Sequence, residues 1–423
     1  MSPTDLSQLA GYVSQPRLVS LIDELARFGA LADGGVNRQA LTADDIAARR
    51  FLAQRAAQLG CTTAIDPAGN VFFRRRGSDG DAPAVATGSH IDSQPSGGRL
   101  DGAYGVCAGL EVIAALNDAG AVTRWPIEVV IWANEEGCRF APGSLGAQAF
   151  VSPADRPRLL SVTDASGRRY RDDVALLQSA LPDAAALPEN HRLQAFIEAH
   201  IEQGPVLEAN DLSVGIVTGI QGVRWFRIQV DGEAAHAGTT PLEYRHDAMR
   251  ACVDLMQQLY RHGERQAGLR LTIGKVELPS ASINTIPGHA AFTLDVRHPD
   301  REALDRCELL LQQYCSQIRH GCRLRCETLM SLATTHFDNA VLETLRSAAR
   351  SLGVSSMDLM SGAFHDSLHL ARHCPTGMVF VPSHLGLSHN PKEYTDPVLL
   401  ARGVRVLCVA LANRAGAEFG RIR

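Results

Sequence analysis

The run Ile127-Glu128-Val129-Val130-Ile131-Trp132 leads directly into Ala133-Asn134-Glu135-Glu136-Gly137. An almost uninterrupted apolar strand is what a sheet covered on both faces requires, so this stretch points to a parallel, helix-flanked sheet. Two adjacent carboxylates immediately after such a strand are costly to desolvate unless a cation or a shared proton compensates them. The same short stretch therefore constrains architecture and chemistry together. A chain of 423 residues with 45% hydrophobic and 21% charged side chains can bury a sizeable core in two or three domains, which excludes intrinsic disorder.

Around that strand the pattern alternates between helix and strand. Arg17–Arg27, Ala43–Leu59 and Gly105–Leu116 have helical apolar spacing, and Ala84–Thr87 is a short buried-type strand. From about Ser213 the grammar changes. Gly222–Val230, Leu269–Leu278, Ala290–Val296 and Leu324–Leu329 read as strands, and Arg245–Leu259 and Asp300–Ile318 as helices. Their order, βαββαβ, is that of a ferredoxin-like unit. After roughly Thr334 the alternation resumes. The expected architecture is a discontinuous α/β domain, residues 1–212 and 330–423, interrupted by a smaller inserted domain, residues 213–329. Ala154–Glu189 is polar and reads as a loop-rich surface excursion.

The balance of 46 acidic against 41 basic side chains, a net charge of −5, leaves no basic footprint for phosphate backbones or anionic lipid, so nucleic acid and membrane are not expected partners. No apolar run reaches the roughly 18–20 residues that span a bilayer. Met1–Ala10 lacks a basic start followed by an apolar stretch, and a cytoplasmic location is expected. Ten cysteines without a CxxC pair argue for reduced core thiols, so any metal here is held by His and carboxylate.

Polar residues stand where turns would be expected. Gly88-Ser89-His90-Ile91-Asp92 follows the first strand, and Gly97-Gly98-Arg99-Leu100-Asp101-Gly102 opens the next helix. Ligands bind at the C-terminal ends of strands in open α/β sheets. His90 and Asp101 would form a metal-ligand pair there, with Asp92 accepting the other imidazole N–H. Of Glu135 and Glu136, one suits a ligand and its neighbour a general base beside an acidified water. Two further clusters are Glu198-Ala199-His200-Ile201-Glu202-Gln203-Gly204 and Leu387-Ser388-His389-Asn390. His90, Asp101, Glu136, His200 and His389 are five oxygen and nitrogen donors, each placed after a strand, and five suit two metals sharing a bridging carboxylate. Any one alone reads as a hydrogen-bonded loop residue or a turn; the joint placement carries the argument. In the insertion, His236 lies in a Gly-rich turn and is by default a polar loop residue. Arg297 is either a surface cation or a bidentate fork for a substrate carboxylate.

The segments GSHIDSQPSGGRLDGAYGV, ANEEGCRFAP, EAHIEQGPVLE, GEAAHAGTTP, SINTIPG with DVRHP, and LSHNPKEYT together resemble the amidase (hydantoinase/carbamoylase) branch of the di-zinc aminoacylase-like metallohydrolases. That branch contains N-carbamoyl-L-amino-acid hydrolases, β-ureidopropionases and allantoate amidohydrolases, and the motifs run in order along nearly the whole chain. The resemblance implies a catalytic domain of di-metal aminopeptidase type with the insertion as lid and dimerisation domain. It implies two divalent ions per subunit, zinc first, with manganese, cobalt or nickel suiting the same donors. Asp101 bridges, His90 and His200 complete one metal, Glu136 and His389 the other, and Glu135 is the general base. It implies a homodimer in which His236 reaches the partner subunit's site to stabilise the oxyanion, and it makes Gln203, Asn284, Arg297 and Gly362 substrate contacts. A cis peptide is implied at Asp101-Gly102.

The expected reaction is metal-assisted hydrolysis of the carbamoyl C–N bond of an N-carbamoyl-L-amino acid. Allantoate, β-ureidopropionate or a dipeptide are the alternative small-molecule substrates for the same site. A catalytically silent homologue that binds a small acid is the alternative of another class. One departure from the family pattern stands out: Gly362-Ala363-Phe364-His365-Asp366-Ser367 carries an aromatic where a glycine is usual, which reshapes the substrate pocket. Pro382-Ser383-His384-Leu385-Gly386 also lacks the charged residues expected before His389.

Overall fold

The computed structural model describes residues 6–279 and 282–419; the first five residues of the segment read for a leader lie outside them. The chain divides into two compact units, Met1–Thr218 with His336–Arg423, and Gly219–Thr335.

The first unit is built on a ten-stranded mixed sheet. At its centre, β1 (Ala84–His90), β2 (Ile127–Trp132), β3 (Leu193–Ile201) and β4 (Thr376–Val381) run parallel in the order β4-β3-β1-β2. Every residue of β1, β2 and β4 is buried. The sheet continues antiparallel through Val71–Arg75 on one side and Val214–Ile220 on the other. Helices α1 (Ala43–Gln58), α2 (Ala103–Asp118) and α3 (Pro397–Arg414) belong to the same unit. Thr42 caps α1 through its hydroxyl, and α2 is buried along almost its whole length. All four parallel strands point their C-terminal ends the same way, which gathers the loops after them at one rim.

Three expectations are corrected here. Ala154–Glu189 contains the helix Tyr170–Ala180, because Tyr170, Val174 and Leu177 form a buried stripe beneath its polar face. Glu198 and His200 stand inside β3 rather than after it, and His90 is the last residue of β1. The cis peptide of the described chain is Ala141–Pro142, not Asp101–Gly102; Gly102 turns the chain instead with φ 64°.

The second unit has a four-stranded antiparallel sheet in the order Arg270–Glu277, His289–His298, Gly222–Asp231, Arg323–Leu332. Alternate residues of Gly222–Asp231 are buried, as a sheet with one covered face requires. Phe226, Ile228 and Val230 pack with Leu255 and Leu259 of helix Ala248–Arg265 and with Leu304 and Leu311 of helix Arg301–Cys315. All ten cysteines are free thiols, all buried except Cys138 and Cys326. Among the described residues no helix is long and apolar enough to cross a membrane.

Candidate metal centre

At the rim of the parallel strands, the two oxygens of Asp101 face different partners. His200 Nε2 lies 3.1 Å and His90 Nε2 3.8 Å from Asp101 Oδ1. His389 Nε2 lies 3.2 Å from Asp101 Oδ2 and 3.6 Å from Glu136 Oε2. In each of the groups His90–Asp101–His200 and Asp101–Glu136–His389 the donor atoms fall within 4.8 Å of one another. Glu135 Oε2 stands 3.6 Å from His90 Nε2. Gly102, at the start of α2, packs its Cα against the His90 ring; a Cβ there would meet the ring at 2.4 Å.

The imidazoles are oriented by main chain. His90 Nδ1 pairs with the Asp92 carbonyl at 2.8 Å and His200 Nδ1 with the Ile201 carbonyl at 2.9 Å, which turns both Nε2 atoms to Asp101. The Asp92 carboxylate does not receive the imidazole proton: its Oδ1 is 3.9 Å from His90 Nδ1. It accepts instead the backbone N–H groups of Glu135 and Glu136, each at 3.2 Å, and so fixes the turn after β2. Gln94 holds Glu136, through Nε2 at 2.7 Å and its backbone N–H at 3.2 Å.

Burial, with Asp366, Glu136, Asp92 and Asp101 nearby, pushes Glu135 well above the usual carboxylate range. Burial and Asp101 push Glu136 up to about 8. Burial also raises Asp101, but hydrogen bonds from His200 and His389 outweigh it and hold Asp101 well below its ordinary value. Burial lowers His90 to about 4. Burial opposes the charged form of His200 too, yet its pairing with Asp101 carries it to about 9; the hydrogen bond to Asp101 carries His389 to about 9. Protons thus occupy the positions where positive charge is wanted. Nitrogen and carboxylate donors without thiolate, close enough to share one ion and costly to bury uncompensated, fit a divalent cation of the zinc, manganese, cobalt or nickel type.

Gln203, read as a substrate contact, donates from Nε2 to Asp101 Oδ2 at 2.9 Å, while its buried Oε1 has no partner among the described residues. Gly362 lies in the bend after strand Ser356–Ser361. In the second unit, exposed His236 pairs in register with Thr285 and its Nδ1 accepts the Gly238 N–H at 3.1 Å. The Asn284 carbonyl accepts from Ala237 at 2.9 Å, and Arg297 is gripped by Asp295, Nη2 to Oδ2 at 2.7 Å.

Several residues of the centre receive no role in the sequence reading. Glu198, fully buried in β3, accepts the hydroxyls of Ser89 and Ser367 at 2.6 Å each. The His365 ring packs 4.5 Å from that of His200. Glu393 and Ser388 bind the Asp101 turn. A usable signal existed for Glu393, an acid inside the quoted LSHNPKEYT segment, four residues past His389; pairings across nearly the whole chain carry none.

Residues 86–413 match the family described as peptidase family M20/M25/M40. The chain belongs to this family. Enzymes of the M20 family are metallohydrolases, and the chain is a hydrolase acting on amide C–N bonds. This M20 chain is 36% identical over 408 residues to an N-carbamoyl-L-amino-acid amidohydrolase of Rhizobium meliloti, covering 95% of this chain and 97% of that one. It is 33% identical to an allantoate amidohydrolase of Escherichia coli, with 92% and 96% covered. The structure of a hydantoinase/carbamoylase family amidase from Burkholderia multivorans is similar with a TM-score of 0.89 at 40% identity, covering 95% of this chain and 98% of that one. Aminopeptidase PepT from Bacillus cereus, at 17% identity and a TM-score of 0.66 over 96% of this chain and 100% of that one, shares the mixed α/β fold.

Proposed function

We propose that the chain hydrolyses the carbamoyl C–N bond of N-carbamoyl-L-amino acids, giving the free amino acid, ammonia and carbon dioxide, with two divalent ions, zinc first among them. The observation that carries this reading is Asp101 facing His90 and His200 with one oxygen and His389 and Glu136 with the other. The names of the relatives, carbamoyl-amino-acid and allantoate amidohydrolases, support a ureido substrate. In this reading His90 and His200 hold one ion with Asp101, and Glu136 and His389 hold the other. Bound ions supply Lewis-acid polarisation of the carbonyl and acidify the attacking water.

Glu135 takes the proton from that water and returns it to the leaving nitrogen. A carboxyl raised by burial and like charge is suited to both halves of that transfer. Asp92 keeps Glu135 and Glu136 on one turn, so base and ligand cannot drift apart. Gln203, Asn284, Arg297 and Gly362 contact the substrate, His236 serves the partner subunit's oxyanion, and residues 213–329 act as a ferredoxin-like lid and dimerisation domain; these assignments rest on the resemblance.

The test is a panel of N-carbamoyl-L-amino acids, N-carbamoyl-β-alanine, allantoate and dipeptides on metal-loaded protein, with ammonia and amine release followed. Preferred turnover of N-carbamoyl-L-amino acids is expected. Turnover of allantoate or N-carbamoyl-β-alanine alone would reassign the substrate, and dipeptide cleavage alone would end the carbamoyl reading.

A further inference from the structure

Two segments distant in sequence meet at Asp101: the turn that precedes α2 and the loop that carries His389. Glu393, 5% exposed, belongs to the loop and grips the turn. Its Oε1 accepts the backbone N–H groups of Leu100 at 2.8 Å and Asp101 at 3.0 Å. Its Oε2 lies 3.1 Å from the Ser388 hydroxyl, which is also 3.0 Å from Asp101 Oδ2. The Glu393 N–H donates to the Asn390 carbonyl at 2.9 Å, closing the loop directly after His389. The approach is so close that a Cβ on Gly98 would stand 2.2 Å from the Glu393 carboxylate.

A carboxylate holding two successive N–H groups fixes the direction in which Asp101 projects. The same side chain is anchored in the loop that presents His389. Neither half of the centre can shift without the other, since Asp101 belongs to both donor groups.

We propose that Glu393 is a positioning residue that locks the Asp101 turn to the His389 loop and makes the filling of the two ion positions interdependent. This rests on the ion-binding reading above. Outer partners of ligands typically carry 10–100-fold in metal affinity, and here one partner serves both positions.

The experiment titrates zinc into metal-free full-length protein by calorimetry, counts retained zinc after gel filtration, and records thermal unfolding of the metal-free form. Glu393→Ala is expected to weaken both binding steps by about 10–100-fold. Glu393→Asp keeps the charge but falls short by one methylene, about 1.5 Å, and is expected to do the same. Glu393→Gln retains an oxygen for the two N–H groups and an amide that can face Ser388, and is expected to restore affinity close to that of the unsubstituted chain. Should the alanine variant fail to fold, the Asp and Gln pair carries the test. Unchanged zinc affinity in the Ala or Asp variant, whatever its melting temperature, would overturn the proposal, as would loss confined to one of the two steps. No zinc uptake by the unsubstituted chain would overturn the ion-binding reading and this inference with it.

Discussion

Substituting Gly102 by alanine probes the centre without removing any donor. Gly102 has φ 64° and ψ −50°, a conformation in which an L side chain costs about 1–3 kcal/mol. Its Cβ would also lie 2.4 Å from His90 Nε2 and Cε1, whereas ordinary contact begins at 3.4 Å. The ring must therefore retreat by about 1 Å, several times the ~0.2 Å tolerance of metal–ligand distances. A 10–100-fold loss of divalent-ion affinity is expected, with melting lowered by a few degrees. Gly120→Ala is the control for an alanine at positive φ: its φ is 61° and nothing lies within 4 Å of its would-be Cβ, so it carries a positive-φ penalty without the clash. Calorimetric titration of zinc into the metal-free forms of both variants decides. If Gly102→Ala binds ions as tightly as Gly120→Ala, the His90 ring is not where ion binding is decided and the reasoning fails.

Glu135→Gln is expected to cut turnover of whichever amide substrate is used by about 10²–10⁴-fold while leaving ion content unchanged, and full activity in a loaded Gln variant would remove Glu135 as the base. For pH, His200 rises from 6.5 to about 9 and Glu136 from 4.5 to about 8 on folding. Both favour the proton-bound folded state, so the His200 contribution is complete below pH 6.5 and lost through pH 9, and that of Glu136 falls away from pH 4.5 through pH 8. Below pH 6.5 the lowered His90 works the other way, so metal-free protein should lose stability as pH rises from about 6.5 to 9, and ion binding at pH 7 should release protons, read as a calorimetric heat that depends on the buffer; a buffer-independent heat would contradict it. Arg49, fully buried, donates to Asp45 at 3.0 Å and to the carbonyls of Gly69, Ile131 and Trp132. Arg49→Met strands the buried Asp45 carboxylate and should cost about 3–5 kcal/mol in urea unfolding, with Asp45→Leu recovering much of it; additive losses in the double variant would refute the pairing.

Legibility in the sequence followed local periodicity. Ile127–Trp132 is a strand in both reading and structure, and Ala43–Leu59 differs from the observed Ala43–Gln58 by one residue, because apolar spacing reports directly on a buried face. Leu193–Ile201 runs on through Glu198 and His200, which in sequence look like residues past a strand's end. In the fold Glu198 is satisfied by Ser89 and Ser367, contacts with no local signature. Val71–Arg75 and Val214–Ile220 are not legible for a related reason: the first is short, the second is interrupted by Gly215 and Gly219, and both gain their identity from the strands they pair with. At the site, residue types at strand ends were legible, but the atoms were not. Asp92 orients His90 through its carbonyl and spends its carboxylate on Glu135 and Glu136, a choice fixed by the path of the chain after β1.

The balance of buried charge explains why these acids can coexist. Arg38 and Arg49 are buried near the ends of β1 and β2, yet both spend donors on carbonyls: Arg38 Nε on Ile91 at 2.7 Å, Arg49 on Ile131 and Trp132. They stiffen the strand ends that carry His90 and Glu135, and among the described residues neither donates a hydrogen bond to an acid of the centre. Without a cation, the acids therefore draw on protons: His200 and His389 are raised by Asp101, Glu135 by burial with Asp366 and Glu136 nearby, and Glu136 by burial and Asp101. Each divalent ion brings two positive charges and expels protons from the same groups. Net buried charge then changes far less than the ion's own charge, which lets one fold accommodate both the metal-free and the loaded centre without the penalty that a rigid set of ionised carboxylates would impose.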